Sequence, residues 1–251
     1  MDDAELQKKR FSELAKKSYN GGYYLFTDFL GLNELSLFNE ARRDFPTVKY
    51  TAFGGARGAE RVMIRFGDPK ELGYEEPFPI LCVKIEPVSG KFADRLTHRD
   101  FLGALLNLGI DRRGLGDIPI IDNVGYLFLK EDIANFVITS LERVKHTDVR
   151  LSVVSELPEG ELYRTEPRRI QLSGERIDAA VAKVFNLSRE EALGYFRKRL
   201  VFVDGKLCEN NSYVPKAGEK ISVRSLGRFI YRGQVSTSRK GKLNVLVEVY
   251  V

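Results

Sequence analysis

In 251 residues the chain has two cysteines, two histidines and no tryptophan. Cys82 and Cys208 lie far apart, in segments read below as different domains, so they give no metal-ligand spacing. Their scarcity suits a reducing compartment, where a core holds without disulfides. His98 and His146 have no second ligand nearby in sequence, so neither implies a metal; neither metal nor cofactor is expected. His98, beside Arg99 and Asp100, could titrate near neutrality or touch phosphate, but a structural or merely exposed side chain is the plainer reading. No apolar run approaches the roughly 18 residues that mark a membrane helix. The N-terminus is charged, unlike a signal peptide, and a cytoplasmic protein is expected. The glycine cluster from Phe53 to Arg61 lacks the Gly-Lys-Ser/Thr ending of a phosphate loop, so it reads as a turn joining strands.

A hydrophobic content of 43% with 30% charged residues is that of an ordinary globular chain with its own core. The net charge of +5 is unevenly spread. From Arg168 to Val251 there are 17 Lys+Arg against 8 Asp+Glu, leaving 23 against 27 for everything before. That asymmetry points to a polyanion partner for the C-terminal third; the bland alternative is a solvated basic surface.

Element signals give an α+β chain. Residues 1–76 read as a mixed N-terminal α/β region, with helices from Asp3 to about Ser18 and from Leu32 to Phe45, the latter capped on Asn33 and closed by Pro46. In 77–157 a strand at Ile80–Ile85 is followed by a Thr97-capped helix. Strands at Ile118–Ile121 and Tyr126–Leu129 flank a turn at Asp122-Asn123. A helix over Glu131–Val144, with Ile133, Phe136, Val137, Leu141 and Val144 inward, and a strand at Val149–Val154 complete the order βαββαβ. This is the arrangement of ferredoxin-like and RNA-recognition (RRM-like) domains, which serves many functions. The aromatic strand Gly125–Phe128 offers a surface for stacking bases, although an aromatic in a strand is more often core. Residues 158–167, with a proline at each end, read as a linker.

The densest signal runs from Gly174 to Arg232. Ile177, Val181 and Val184 give one helix its inward face. Ser188 and Glu191 form a capping box for a second helix, whose last turn carries Arg197, Lys198 and Arg199, where the helix dipole favours cations. Val201–Val203, the hairpin turn Asp204-Gly205 and Lys206-Leu207 follow. Helices with basic outer faces on a small sheet suit a phosphate backbone better than a small molecule.

This order, with Val-Phe-Val-Asp-Gly and Lys-Ala-Gly-Glu-Lys-Ile, resembles the S4-type (alpha-L) RNA-binding domain, here 168–251. The sequence RSLGRF at Arg224–Phe229 is similar to the form in the YlmH family. FTDFL at Phe26–Leu30, FGG followed by Glu60-Arg61, and Leu96–Ile118 extend that likeness over most of the chain. Arg199 stands where the family usually has glycine, and Leu200 where a basic residue is frequent.

The localised charge and the S4-type pattern read as a non-enzymatic binder of structured ribosomal or transfer RNA, expected to be a monomer; the resemblance implies association with the large ribosomal subunit and peptidyl-tRNA, in rescue of stalled translation or quality control. Arg176, Arg189, Arg197, Lys198, Arg199, Lys206 and Arg228 are the expected phosphate contacts, with Arg112 and Arg113 secondary on a glycine-flanked loop. Two readings compete: an RNA-modifying enzyme related to pseudouridine synthases, and a protein-interaction adaptor docked on RNA. Against the first, the sole Arg-Leu-Asp-like tripeptide is Arg176-Ile177-Asp178, where Asp178 reads as charge compensation at a helix start.

Overall fold

The structure is a computed structural model that describes residues 2–45, 48–90, 93–154, 156–157 and 162–250. The chain divides into two compact units, Met1–Gly31 with Glu40–Tyr163, and Leu32–Asn39 with Arg164–Val251. Apart from 32–39, the expected 1–76 and 77–157 segments therefore fall together in the first unit. Helix and strand mix throughout, as an α+β chain requires. No helix among the described residues is long and apolar enough to cross a membrane.

In chain order the first elements are α1 (Asp3–Gly21), β1 (Leu25–Phe26), α2 (Leu32–Ala41), β2 (Tyr50–Phe53), β3 (Met63–Phe66) and α3 (Pro69–Leu72). α1 buries Phe11, Ala15 and Ser18 and ends where Gly22 turns left-handed at φ 65°. Asn33 lies inside α2 rather than at its cap, because the helix begins at Leu32. A 3-10 turn at Arg42–Asp44 replaces its expected last turn, and Pro46 lies outside the described residues. The three short strands form an antiparallel sheet in the order β1-β3-β2, with the glycine-rich segment as the β2–β3 connection.

The elements then follow as β4 (Ile80–Pro87), α4 (His98–Asn107), β5 (Ile120–Ile121), β6 (Val124–Lys130), α5 (Glu131–Ser140), β7 (Arg143–Val144) and β8 (Thr147–Val153). Their antiparallel sheet runs β5-β6-β4-β8-β7. Asp122 and Asn123 both have positive φ, the demand of a two-residue hairpin turn. α4 starts on a Thr97/Asp100 capping box. α5 stops at Ser140, four residues before the expected end: Leu141 is extended, and Val144 is buried from a β-hairpin turned at Lys145, φ 57°. Phe136 is 51% exposed, not inward, whereas Val137 is fully buried.

One face of this sheet packs Val83, Ile85, Leu127 and Leu129 against Phe101 and Leu105 of α4 and Val137 of α5. The opposite face is covered where it carries aromatics. Phe128, 1% exposed, and Cys82 pack with Phe29 and Met63, with Phe26, Ala56 and Phe78 alongside. Base stacking on Phe128 is therefore ruled out by its burial, and Tyr126 is half-buried in the same cluster. Gly55 and Gly116 belong to this cover: a Cβ on Gly55 would sit 2.2 Å from the Phe128 ring, and one on Gly116 2.8 Å from Phe29. Burial in this cluster also pushes the Cys82 thiol up to about 12, so it stays protonated.

The second unit comprises β9 (Thr165–Leu172), α6 (Ile177–Val184), α7 (Arg189–Arg197), β10 (Val201–Val203), β11 (Lys206–Leu207), β12 (Lys220–Val223), β13 (Gly227–Thr237) and β14 (Leu243–Tyr250). Of the expected linker, 158–161 lie outside the described residues, and Thr165–Pro167 open β9. Pro167 is tolerated because β9 is an edge strand, in a sheet ordered β11-β10-β12-β13-β14-β9. Ile177, Val181, Val184, Ala192 and Phe196 of the helices meet Val201, Ile221, Phe229, Tyr231, Val245 and Val247 of the sheet. The first eight residues of α2 join this unit: the Leu207 N–H donates to Ser36 Oγ at 3.0 Å, and Leu35 touches the Gly205 turn.

Candidate nucleic-acid interface

The α6–α7 face is built by local signals that agree. Ser188 Oγ accepts from the Glu191 N–H at 3.2 Å, and the Glu191 carboxylate accepts from the Ser188 N–H at 2.7 Å. Hydrogen bonding of that carboxylate to the Ser188 side chain and N–H holds the Glu191 carboxyl below its usual range. At the far end Arg199 adopts φ 58°, its N–H donating to Phe196 O and the Leu200 N–H to Tyr195 O. This double bond pattern is the one glycine usually closes. An arginine there costs about 1 kcal/mol. Asp204 (φ 47°) and Gly205 (φ 72°) form the hairpin turn, with Asp204 Oδ1 accepting from the Lys220 N–H at 2.9 Å.

The expected contact residues divide by what they hold. Arg176 makes a bidentate pair with Asp178, at 3.0 and 2.9 Å. Asp178 is fully buried and also accepts from the Ala179 N–H at 2.8 Å. Burial pushes its carboxyl up, but the Arg176 hydrogen bonds and charge outweigh that, and it sits below its ordinary value. Arg189 reaches the same carboxylate at 3.7 Å from the start of α7 and is itself 68% exposed. Arg197 pairs with Glu190 and Arg199 with Glu209, and all four are well exposed. Lys198 and Lys206 are exposed, with no ion pair among the described residues. These six residues flank α6 and α7 or the adjoining sheet edge.

Arg228 stands apart from them. It alternates with the core residues Phe229 and Tyr231, so it lies on the sheet face away from α6 and α7, its guanidinium 4.1 Å from the centre of the Tyr250 ring.

In the first unit Arg112 and Arg113 part company. Arg112 Nη1 donates to Leu115 O at 2.9 Å and to Gly116 O at 3.0 Å, which makes it a brace of the loop. Arg113 remains 65% exposed beside Asp111, whose carboxyl it pulls down to about 2. It lines a groove of about 430 Å³ together with Phe136. Sequence reading passed over Arg61, which donates to the carbonyls of Leu115, Phe29 and Arg112. It also passed over Asp117, which accepts from the N–H groups of Glu60 and Arg61 and from the Tyr163 hydroxyl. The Glu60-Arg61 and Leu96–Ile118 motifs thus meet in one clasp, a connection that spacing along the chain does not reveal. Among the described residues no group of three or more His, Cys, Asp or Glu could hold a metal ion.

Residues 74–156 match the family model described as "Putative RNA-binding domain in YlmH". Over 239 residues the chain is 27% identical to the "Ribosome-associated protein quality control protein P2" of Bacillus subtilis (strain 168), spanning 88% of this chain and 86% of that protein. The solved structure titled "Cell division protein ylmH from Streptococcus pneumoniae" overlays with a TM-score of 0.48 at 18% identity, covering 61% of this chain and 92% of the other.

Proposed function

Because this chain belongs to the YlmH family, we propose that it is a non-enzymatic, ribosome-associated RNA-binding protein that recognises structured ribosomal or transfer RNA. On this reading it works in the cytoplasm as a monomer on the large subunit, in rescue or quality control of stalled translation. The second unit acts as an S4-type domain, and the βαββαβ part of the first as an RRM-like support. The observation that carries the reading is the concentration of positive charge in 168–251, displayed along α7 by Arg189, Arg197, Lys198 and Arg199. The Bacillus subtilis relative's name, a ribosome-associated quality control protein, supports the same reading.

Phosphates are strong competitors for such cations. An exposed ion pair such as Arg197 with Glu190 is worth only about 0–1 kcal/mol, so RNA can take the guanidinium from its carboxylate. Each phosphate neutralised also releases counterions, which makes affinity fall steeply with salt. The buried, bridged state of Asp178 gives no support to a catalytic aspartate at Arg176-Ile177-Asp178.

The test is a salt titration of binding to large ribosomal subunits and to free transfer RNA, with wild type and with Lys198→Glu/Lys206→Glu. The expected result is salt-steep binding that drops at least about tenfold in the variant, as two lost phosphate contacts require. RNA binding indifferent to salt and to both substitutions would overturn it. So would modified nucleosides produced by the purified protein.

A further inference from the structure

In the β13–β14 hairpin, β13 leaves the core before its partner strand does. β13 contributes Phe229 and Tyr231 to the core cluster, and Gln234–Thr237 beyond them are exposed. Register shifts between Tyr231 and Gly233 and between Gln234 and Ser236, with Gly233 at φ 98°, bend and twist the ribbon there. The tip is nonetheless ordered by its own bonds: Ser238 N–H to Lys242 O at 2.7 Å, Gly241 N–H to Ser238 O at 2.9 Å, and Lys242 N–H to Ser238 Oγ at 3.0 Å.

This ribbon carries Arg239, Lys240 and Lys242, and no Asp or Glu occurs from Gly233 through Val247. Arg239 and Lys240 are exposed, and none of the three is in an ion pair among the described residues. The contrast with Arg176, Arg197 and Arg199, each beside a carboxylate, is chemical: cations at the tip have no internal competitor to displace. Behind the tip, Ser236, Asn244 and Gln171 form an uncharged hydrogen-bonded ladder across β13, β14 and β9. Exposed Arg169 lies two residues from Gln171 on that same face. Amide and hydroxyl groups beside a cationic turn match the mixture of 2′-hydroxyls and phosphates that a folded RNA helix presents in its wide, shallow minor groove.

We propose that the β13–β14 tip is a second contact for the sugar-phosphate backbone of structured RNA, made by Arg239, Lys240 and Lys242 independently of the α7 face. This rests on the RNA-binding reading above and adds a site to it.

The test compares Arg239→Ser/Lys240→Ser/Lys242→Ser in the full chain with wild type and with Lys198→Glu, by salt titration against a ribosomal RNA hairpin and large subunits. The expected result is a log-log salt slope shallower by about two and an affinity about tenfold weaker near 0.1 M salt. Unfolding temperature should be unchanged, and the Arg239→Lys/Lys240→Arg exchange should retain wild-type binding. If the triple variant keeps wild-type affinity and slope while Lys198→Glu weakens binding, the tip is not a contact and the RNA-binding reading survives. If wild type binds neither RNA, both fall together.

Discussion

The Arg112-Arg113 turn of the first unit and the α6–α7 face of the second are both arginine-rich, and they differ in what the guanidinium groups hold. Arg112 donates to the main-chain carbonyls of Leu115 and Gly116, and Arg61 shares Leu115 O while also holding those of Arg112 and Phe29. Those acceptors cannot leave without unfolding the loop. On the α7 side the acceptors of Arg197 and Arg199 are exposed carboxylates, which a phosphate can replace. Arg176 lies between these cases: it is 38% exposed, but its partner Asp178 is buried. The lesson is that the nature and burial of the acceptor, more than the number of arginines, sorts structural cations from those free to bind.

The largest effect expected on that division is at Asp178. Asp178→Ala removes a buried acceptor from Arg176, Arg189 and Ala179. Breaking such a pair costs about 3–5 kcal/mol, with the low end fitting here because Arg176 can turn to solvent. Denaturant unfolding of the full chain should show a loss of about 3 kcal/mol in the second unit's transition. The same carboxylate sets a pH dependence. Its folded value lies below the ordinary value near 3.9. Its stabilisation is therefore complete above the unfolded value and disappears as pH falls through the lower folded one. Asp178→Asn should flatten that acid limb and leave the neutral range without a slope of its own. A variant as stable as wild type would place Arg176 among the exchangeable cations.

Next in size is Arg112→Ala. Charge-assisted bonds to carbonyls contribute about 1.5–3 kcal/mol, and Leu115 O retains Arg61, so a loss of about 2 kcal/mol in the first unit is expected. The salt slope of RNA binding should not move at temperatures where the variant is folded. Arg113→Ala should do the reverse, with stability within about 0.5 kcal/mol of wild type because its pair with Asp111 is exposed. A change of slope in Arg112→Ala would mean that this guanidinium meets phosphate after all.

How far the fold was legible follows from the range of each signal. The Thr97 cap, the Ser188 capping box and the turns at Asp122-Asn123 and Asp204-Gly205 are local, and each stands in the structure where spacing places it, while the left-handed Arg199 occupies the position where the family usually has glycine. What depends on partners remote in sequence was hidden. Phe128 is core, the commoner place for an aromatic in a strand, but the strand itself carries no sign that Phe29 and Met63 cover it. The start of β9 looked like a linker because its partner β14 lies some 80 residues away. Arg112 looked like a ligand because its two carbonyl acceptors leave no mark in a pattern of side chains. Arg228 differs from the helical arginines only by strand parity, being opposite in phase to the core residues Phe229 and Tyr231.

The smallest effect is also the most discriminating for the exchange argument. Glu190→Gln keeps the size of the side chain on α7 and removes the charge that holds Arg197. Both partners are exposed, so stability should change by less than about 0.5 kcal/mol. With the internal competitor gone, RNA affinity at low salt should rise about two- to threefold, and more salt should be needed to dissociate the complex. Double substitution with Arg197→Ala should abolish the gain, because the benefit runs through that guanidinium alone; a gain that persists would assign it to general loss of negative charge. Unchanged affinity in Glu190→Gln would mean that Arg197 is not among the cations that reach phosphate, and would leave Lys198 and Arg189 as the contacts on α7.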